Sequence, residues 1–269
     1  MMDLEGLSVV RGFLIDLDGT TYLGDHLLPG ARRFIELLQK RELKFLFLTN
    51  NSSRSNREYG EKLRALGLNI IDDQIFTSGE ATAKYLSKLQ PGARVFVVGT
   101  PALEDEFIEH GFELIAEDPE FIVLGFDTSL SYQKLWQLCD FVRDGVPYIA
   151  THPDLNCPVQ DGYMPDIGAT ITFVEASTGR KPDTVVGKPN KSLVEAVEAR
   201  MDLSASELCM VGDRLYTDIA LGQHGVRTVM VLSGETSLAD LQDSPIQPDV
   251  VVESLADLAS LLQKAAKGF

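Results

Sequence analysis

The stretch Gly-Phe-Leu-Ile-Asp-Leu-Asp-Gly-Thr at residues 12–20 runs as an apolar strand into two carboxylates one residue apart, then into a glycine turn. Alternate side chains of an extended chain share a face, so Asp16 and Asp18 leave the strand tip on the same side, toward one ligand. Like charges that close repel. The arrangement is tolerated where a cation sits beside them, or where one carboxyl carries a proton for part of a reaction cycle. Both conditions suit metal-assisted phosphoryl transfer. The competing reading of the same letters is a solvated strand-to-loop turn, in which Asp and Gly are ordinary residues.

Outward from this stretch, the first third of the chain alternates strand and helix: an apolar run at 13–15, a helical pattern over 31–40 and a strand at 44–48. Pro29 suits a helix start, and Phe34, Leu37 and Leu38 form a stripe able to cover one sheet face. A second helical stretch, 57–66, ends at Gly67, after which 69–76 returns toward the sheet. Strands alternating with helices of this length predict an α/β, Rossmann-like parallel sheet with helices on both faces. Ligands of such sheets collect at the carboxyl ends of the strands. Asp16 and Asp18 end the first strand, and Thr49-Asn50-Asn51-Ser52 ends the second.

From about Gly79 the pattern restarts, with strands predicted at 95–98, 113–115, 121–125 and 148–150 and a helix at 132–142. The loop 152–166 carries three prolines and a glycine, which a buried element would not tolerate, and it is a candidate functional loop. Residues 169–176 read two ways: Thr170, Ile171, Thr172 and Val174 favour strand by propensity, whereas the family named below favours helix. After Lys181-Pro182 the first module is expected to resume with a strand at 184–186, Gly187-Lys188-Pro189-Asn190, a helix over 192–201 and a strand at 208–211. Gly-Asp-Arg-Leu-Tyr-Thr-Asp follows at 212–218, then a helix to about His224, strands at 226–232 and 249–252, and a closing helix at 255–264. The expected organisation is a core of 1–78 and 183–269 with an inserted α/β domain at 79–182.

With 269 residues and 44% hydrophobic content, the chain is long enough for one large or two medium domains with buried cores. Forty acidic against 24 basic residues give a net charge of −16, which argues against nucleic acid and anionic membranes as partners. The excess is concentrated: residues 80–180 hold 16 acidic and 6 basic side chains, as expected of a separate module with a solvated face. No run approaches the ~20 apolar residues needed to cross a bilayer, and Met-Met-Asp-Leu-Glu-Gly lacks the basic and apolar pattern of a leader, so the expectation is a cytoplasmic protein. Cys139, Cys157 and Cys209 fit neither a disulfide framework nor a zinc site.

Four strand-end motifs stand in a fixed order: DLDGT at 16–20, TNN at 49–51, GKPN at 187–190 and GDRLYTD at 212–218. This pattern resembles the haloacid dehalogenase superfamily, specifically its branch of NagD-like and p-nitrophenyl phosphatases, which carry a large α/β cap between the second and third motifs. The likeness extends to the cap stretches Val123-Leu-Gly-Phe-Asp127 and Thr151-His-Pro-Asp154. It implies a magnesium-dependent phosphatase, acting on a small phosphorylated metabolite, with 79–182 as the cap and a homo-oligomer formed through it.

The chemistry needs these residue types. Asp16 can attack phosphorus to form an aspartyl phosphate that water later removes, and Asp18 can protonate the leaving alkoxide and then deprotonate that water. Asp16, Asp213 and the main-chain carbonyl of Asp18 offer the hard oxygen ligands magnesium prefers, with Asp218 orienting a metal-bound water or Lys188 from behind. Substrate-binding groups are Thr49 through its hydroxyl, Asn50, Leu17 and Asp18 through their amides, Asn51 beside them, and Lys188 as a mobile positive charge. Two other readings share the fold: a phosphotransferase or phosphomutase using the same core residues, and a catalytically idle phosphate-ligand sensor.

The cap loop carries the expectation on substrate. No basic residue lies between Arg143 and Arg180, so a second anionic group on the substrate would go unpaired there. His152, Asp154, Asn156, Gln160, Asp161, Tyr163 and Asp166 suit hydroxyls instead. A sugar or polyol phosphate is expected, with nucleoside monophosphates next. Arg54 and Arg214 on the core weigh against this, as either is able to serve a small acidic substrate.

Overall fold

A computed structural model describes residues 9–159 and 162–265. The chain divides into two compact units: residues up to 49, 60–75 and from 197 onward form one, and residues 50–59 and 76–196 form the other. In the first unit the strands are β1 (Gly12–Ile15), β2 (Tyr22–Leu23), β3 (His26–Leu27), β4 (Lys44–Thr49), β13 (Leu208–Gly212), β14 (Arg227–Val231) and β15 (Val250–Val252), with β5 (Ile75–Thr77) at the boundary. β2 and β3 make a small antiparallel hairpin that the sequence did not announce. The main sheet runs β15-β14-β13-β1-β4-β5.

β1 lies between β4 and β13, parallel to both, with Ile15 in register with Phe47 on one side and Val211 on the other. The chain leaves β1 toward one sheet edge and returns 193 residues later toward the other, which makes the tip of β1 a topological switch point. All four residues of β1, all five of β13 and five of six in β4 are buried, the near-continuous apolar runs of parallel strands covered on both faces. The helix Ala31–Lys40 supplies part of that cover through Ala31, Phe34, Ile35, Leu37 and Leu38, and Phe34 meets Phe13 edge-on at 5.6 Å. Gly30 precedes it at φ +84°, and a Cβ there would collide with the backbone of Ala256 in the helix Leu255–Ala265.

The second unit holds β6 (Arg94–Val98), β7 (Glu113–Leu114), β8 (Phe121–Leu124), β9 (Tyr148–Ala150), β10 (Asn156–Val159), β11 (Gly162–Pro165) and β12 (Thr184–Val185). Five of these form a parallel sheet ordered β12-β9-β8-β6-β7. Its core gathers Phe96, Ile122, Leu124, Leu138, Val142, Tyr148 and Val174. The strand expected to reopen the first module at 184–186 instead pairs with β9 in this sheet, so the chain stays in the second unit until Ala196.

Two further findings bear on the site. The segment 169–176 is helix, within Ile167–Thr178, because Asp166 caps its start by accepting the Ile167 N–H and Gly179 ends it at φ +77°. Its threonines also find partners inside the helix: the hydroxyls of Thr172 and Thr178 donate to the carbonyls of Gly168 and Val174. The proline-rich loop carries an antiparallel hairpin, β10 with β11, in which Pro158 and Pro165 sit on open, partly exposed strands of the kind that tolerate them.

Candidate active site

In the first unit the site is built at the carboxyl ends of two neighbouring strands. Asp16 follows β1 and Asp213 follows β13, and the Asp16 N–H donates to the Val211 carbonyl at 2.9 Å, tying the two strand ends together. Asp218 returns to the same place through a tight turn in which its carboxylate accepts the Arg214 N–H at 3.1 Å and its own N–H donates to the Arg214 carbonyl at 3.0 Å. Asp16, Asp213 and Asp218 are all buried, and each brings a carboxylate oxygen within 4.8 Å of the others. Asp218, assigned from sequence to a supporting place, thus offers an oxygen to the cluster itself.

Asp213 is held from both sides: Thr20 Oγ1 donates to Oδ1 at 3.1 Å and the Glu235 N–H donates to Oδ2 at 2.7 Å. Glycines leave the room. A Cβ on Gly19, which sits at φ +86°, would lie 2.5 Å from Asp213 Oδ2, and one on Gly234 or Gly212 would collide with the carboxylate of Asp213 or Asp218. Burial first, and then the charge of Asp218, pushes the Asp213 carboxyl up to about 6, against the pull of the Glu235 N–H, Arg214 and the Thr20 hydroxyl.

Asp18 is half-buried, and Tyr22 OH donates to its Oδ2 at 3.4 Å. The turn between them is fixed by the Thr21 and Tyr22 N–H groups on the Leu17 carbonyl and by Thr21 Oγ1 on the Asp16 carbonyl at 2.7 Å. Lys62 Nζ stands 3.8 Å from the centroid of the Tyr22 ring. Thr49, buried, ends β4. Arg214 forms an ion pair with Glu235 at 3.0 Å. Thr20, Tyr22, Gly234 and Glu235 escaped the sequence reading. Thr20 stood inside a quoted motif, whereas Ser233-Gly234-Glu235 had only its place just after β14 to mark it.

The remaining predicted residues, Asn50, Asn51 and Lys188, belong to the second unit. Asn50 Nδ2 donates to Asp154 Oδ1 at 2.9 Å and to the Lys188 carbonyl at 3.1 Å, while its Oδ1 accepts the Lys188 N–H at 2.8 Å. Asn51 turns its Oδ1 to the N–H and hydroxyl of Ser53 and its Nδ2 to Cys157 Sγ at 3.6 Å.

Of the loop groups expected to meet substrate, three are engaged internally. His152 is fully buried with Nε2 3.0 Å from Asp166 Oδ1 and Nδ1 3.0 Å from Thr151 Oγ1, and Asp154 and Asp166 are buried with it. Tyr163, 68% exposed, and Asn156 stand on the hairpin, while Gln160 and Asp161 lie outside the described residues.

A parallel sheet with a buried carboxylate cluster at its switch point places the chain among the α/β proteins that bind a ligand at the carboxyl ends of their strands. The family model described as haloacid dehalogenase-like hydrolase matches residues 13–113, and a second model of HAD-like hydrolases matches 185–258. An acid sugar phosphatase of Staphylococcus aureus is 34% identical over 94% of this chain and 98% of its own length. A 5′-nucleotidase of Bacillus subtilis, YutF, is 32% identical over 93% and 98%. Among solved structures, a 4-nitrophenylphosphatase of Thermotoga maritima superposes with a TM-score of 0.92 at 43% identity, covering 95% of this chain and 98% of that one. NagD of E. coli does so with 0.86 at 32% identity, covering 92% and 98%. The chain belongs to the haloacid dehalogenase-like hydrolase family. Its likeness is to the NagD and p-nitrophenyl phosphatase branch, as its four motifs implied. Among the described residues no helix is long and apolar enough to cross a membrane.

Proposed function

We propose that this hydrolase is a magnesium-dependent phosphatase of small phosphomonoesters, working through an aspartyl phosphate on Asp16. The observation that carries the reading is the buried cluster of Asp16, Asp213 and Asp218 at the tips of adjacent strands. Three carboxylates so close repel unless protons or a cation intervene, and an all-oxygen, all-aspartate donor set fits a small hard cation. Asp16, Asp213 and the Asp18 carbonyl would hold magnesium, which when bound supplies the positive charge that offsets repulsion between the Asp16 carboxylate and the phosphate.

In this reading an Asp16 oxygen bonds to phosphorus as the ester oxygen leaves with its electron pair, and Asp18 gives that oxygen a proton. Asp18 then takes a proton from water as the water oxygen attacks the same phosphorus, releasing inorganic phosphate and restoring Asp16. Tyr22 OH, 3.4 Å from Asp18 Oδ2, lies beside the carboxyl that carries this proton. Thr49 and the Asn50 amide serve the phosphoryl oxygens, and Lys188 adds positive charge as negative charge grows.

The substrate class we infer is a phosphate ester with an uncharged leaving group, a sugar or polyol phosphate first and a nucleoside monophosphate second. The gap in basic residues from 144 to 179 supports it, as does the ion pair that occupies Arg214, and the named activities of the relatives agree. Phosphate release from sugar phosphates, nucleoside monophosphates and phosphoglycolate, with magnesium and no added acceptor, tests it. The highest kcat/KM on phosphoglycolate would overturn the substrate class. No release from any of them would overturn the phosphatase.

A further inference from the structure

We propose that Asp154 is a positioning residue, which sets the place of Lys188 through the side chain of Asn50 instead of facing substrate. The inference rests on the role given to Lys188 above. Asn50, Asp154 and Lys188 are all buried, between 2% and 6% exposed. The Asn50 carboxamide pairs with both main-chain polar groups of Lys188, accepting its N–H at 2.8 Å and donating to its carbonyl at 3.1 Å, as an edge strand would. The second hydrogen of Nδ2 goes to Asp154 Oδ1 at 2.9 Å.

A carboxamide has nearly the same shape when flipped, so its direction is set by its partners. Asp154 as a carboxylate only accepts. It therefore holds Nδ2 on its own side and leaves Oδ1 turned to the Lys188 N–H. Without it, the buried amide loses one acceptor, and the flipped form would set an NH₂ against the Lys188 N–H. Leaving such a group unmet inside the protein favours rearrangement of the clamp.

Each end of this link is fixed. The main-chain carbonyl of Asn50 accepts Ser78 Oγ, and the Asp154 carbonyl accepts the Gly168 N–H at 2.8 Å in the first turn of helix Ile167–Thr178. Next to Asp154, His152 is bonded to Asp166, the cap of that helix. Before Lys188, a Cβ on Gly187 would stand 2.6 Å from the Thr151 carbonyl and 2.7 Å from Asn50 Oδ1, so this loop lies against residues 151–152 with no slack. Asp154 joins two rigid pieces of backbone, and a small displacement of a charge-bearing side chain is costly: 1 Å is worth about 10²-fold in rate.

The experiment compares Asp154→Ala, Asp154→Asn, Lys188→Ala and the Asp154→Ala/Lys188→Ala double variant, with p-nitrophenyl phosphate and magnesium, reading kcat and KM separately. Asp154→Ala is expected to lower kcat about 10- to 100-fold with KM within about threefold. Asp154→Asn, whose carbonyl can still accept from Asn50, is expected to recover most of the loss. The double variant is expected to be no slower than Lys188→Ala alone, because a residue that acts through Lys188 has nothing left to position. Wild-type kcat in Asp154→Ala, or losses that multiply in the double variant, would overturn the proposal. Full activity in Lys188→Ala would overturn it too, but by removing the role of Lys188, a failure visible without any change at Asp154. Should Asp154→Ala not fold, Asp154→Ser, too short to reach Asn50, is expected to show the same fall in kcat, and wild-type kcat there would overturn the proposal equally.

Discussion

Asp213→Asn should make the metal-free protein more stable and the enzyme inactive, and both effects follow from one carboxyl. Asp213 is buried beside Asp218, and its pKa rises from the ordinary 3.8 to about 6. A carboxyl whose pKa is higher in the folded chain binds its proton more tightly there. The folded state is therefore favoured below about pH 4, and this increment is lost as pH climbs through about 6. At 1.36 kcal/mol per pH unit, the gap between 3.8 and about 6 amounts to about 3 kcal/mol of destabilisation near neutral pH in the absence of metal.

Asparagine keeps the shape and removes the charge. Its Oδ1 can accept the Glu235 N–H, and its Nδ2 can donate to Thr20, whose hydroxyl reverses its role. The melting temperature with chelator near neutral pH should rise by roughly 6–12 °C in the variant, on the scaling of about 2–4 °C per kcal/mol for chains of this size. In acid, below the ordinary carboxylate range, the two proteins should melt together. Added magnesium should raise the wild-type midpoint and leave that of Asp213→Asn where it was. A variant that melts below wild type near neutral pH, or gains as much from magnesium, would refute both the charge argument and the place of Asp213 in the donor set.

Two further outcomes test the chemistry of the strand tip. Asp16→Asn should reduce phosphate release to below a tenth of wild type without loss of fold, because an amide of the same size is a far weaker nucleophile, as single-turnover and steady-state assays would show. Asp18→Asn should lose much more activity on a sugar phosphate than on p-nitrophenyl phosphate, whose leaving group needs little protonation; equal losses on the two would remove Asp18 from the acid role.

Asp16 and Asp213 were legible as strand-end residues because each follows a short, uniformly apolar run. Ile15 and Val211 announce strands that end where Asp16 and Asp213 begin, and neither placement depends on distant partners. The sheet that receives a two-residue strand is another matter. Thr184–Val185 has the composition of either module, and only its non-local pairing with β9 decides. The loop after β9 misled for a related reason: polar letters do not say which way they face. His152, Asp154 and Asp166 read as groups for substrate hydroxyls, yet each is spent on the protein's own backbone and side chains. Asp166 did carry a usable signal, since an Asp before a run free of Gly and Pro after its second residue is a helix cap. That signal would have outweighed the β-branched residues that followed.

The position of β1 between β4 and β13 also has a consequence for how the protein comes to exist. Gly12 emerges from the ribosome early, but its register partner Leu208 is 196 residues behind it. At 5–20 residues per second that is a delay on the order of 10–40 s. Throughout it the nascent chain can pair β1 with β4 while the opposite edge, fully apolar, stays open, which is the kind of edge that recruits chaperones or other chains. Asp16 spends the same interval without Asp213 or Asp218, so neither their repulsion nor an ion between them can influence the early steps of folding. Synthesis halted before residue 208 should therefore leave an aggregation-prone half-sheet, and rescue of such chains would depend on covering one strand edge, with no contribution from metal.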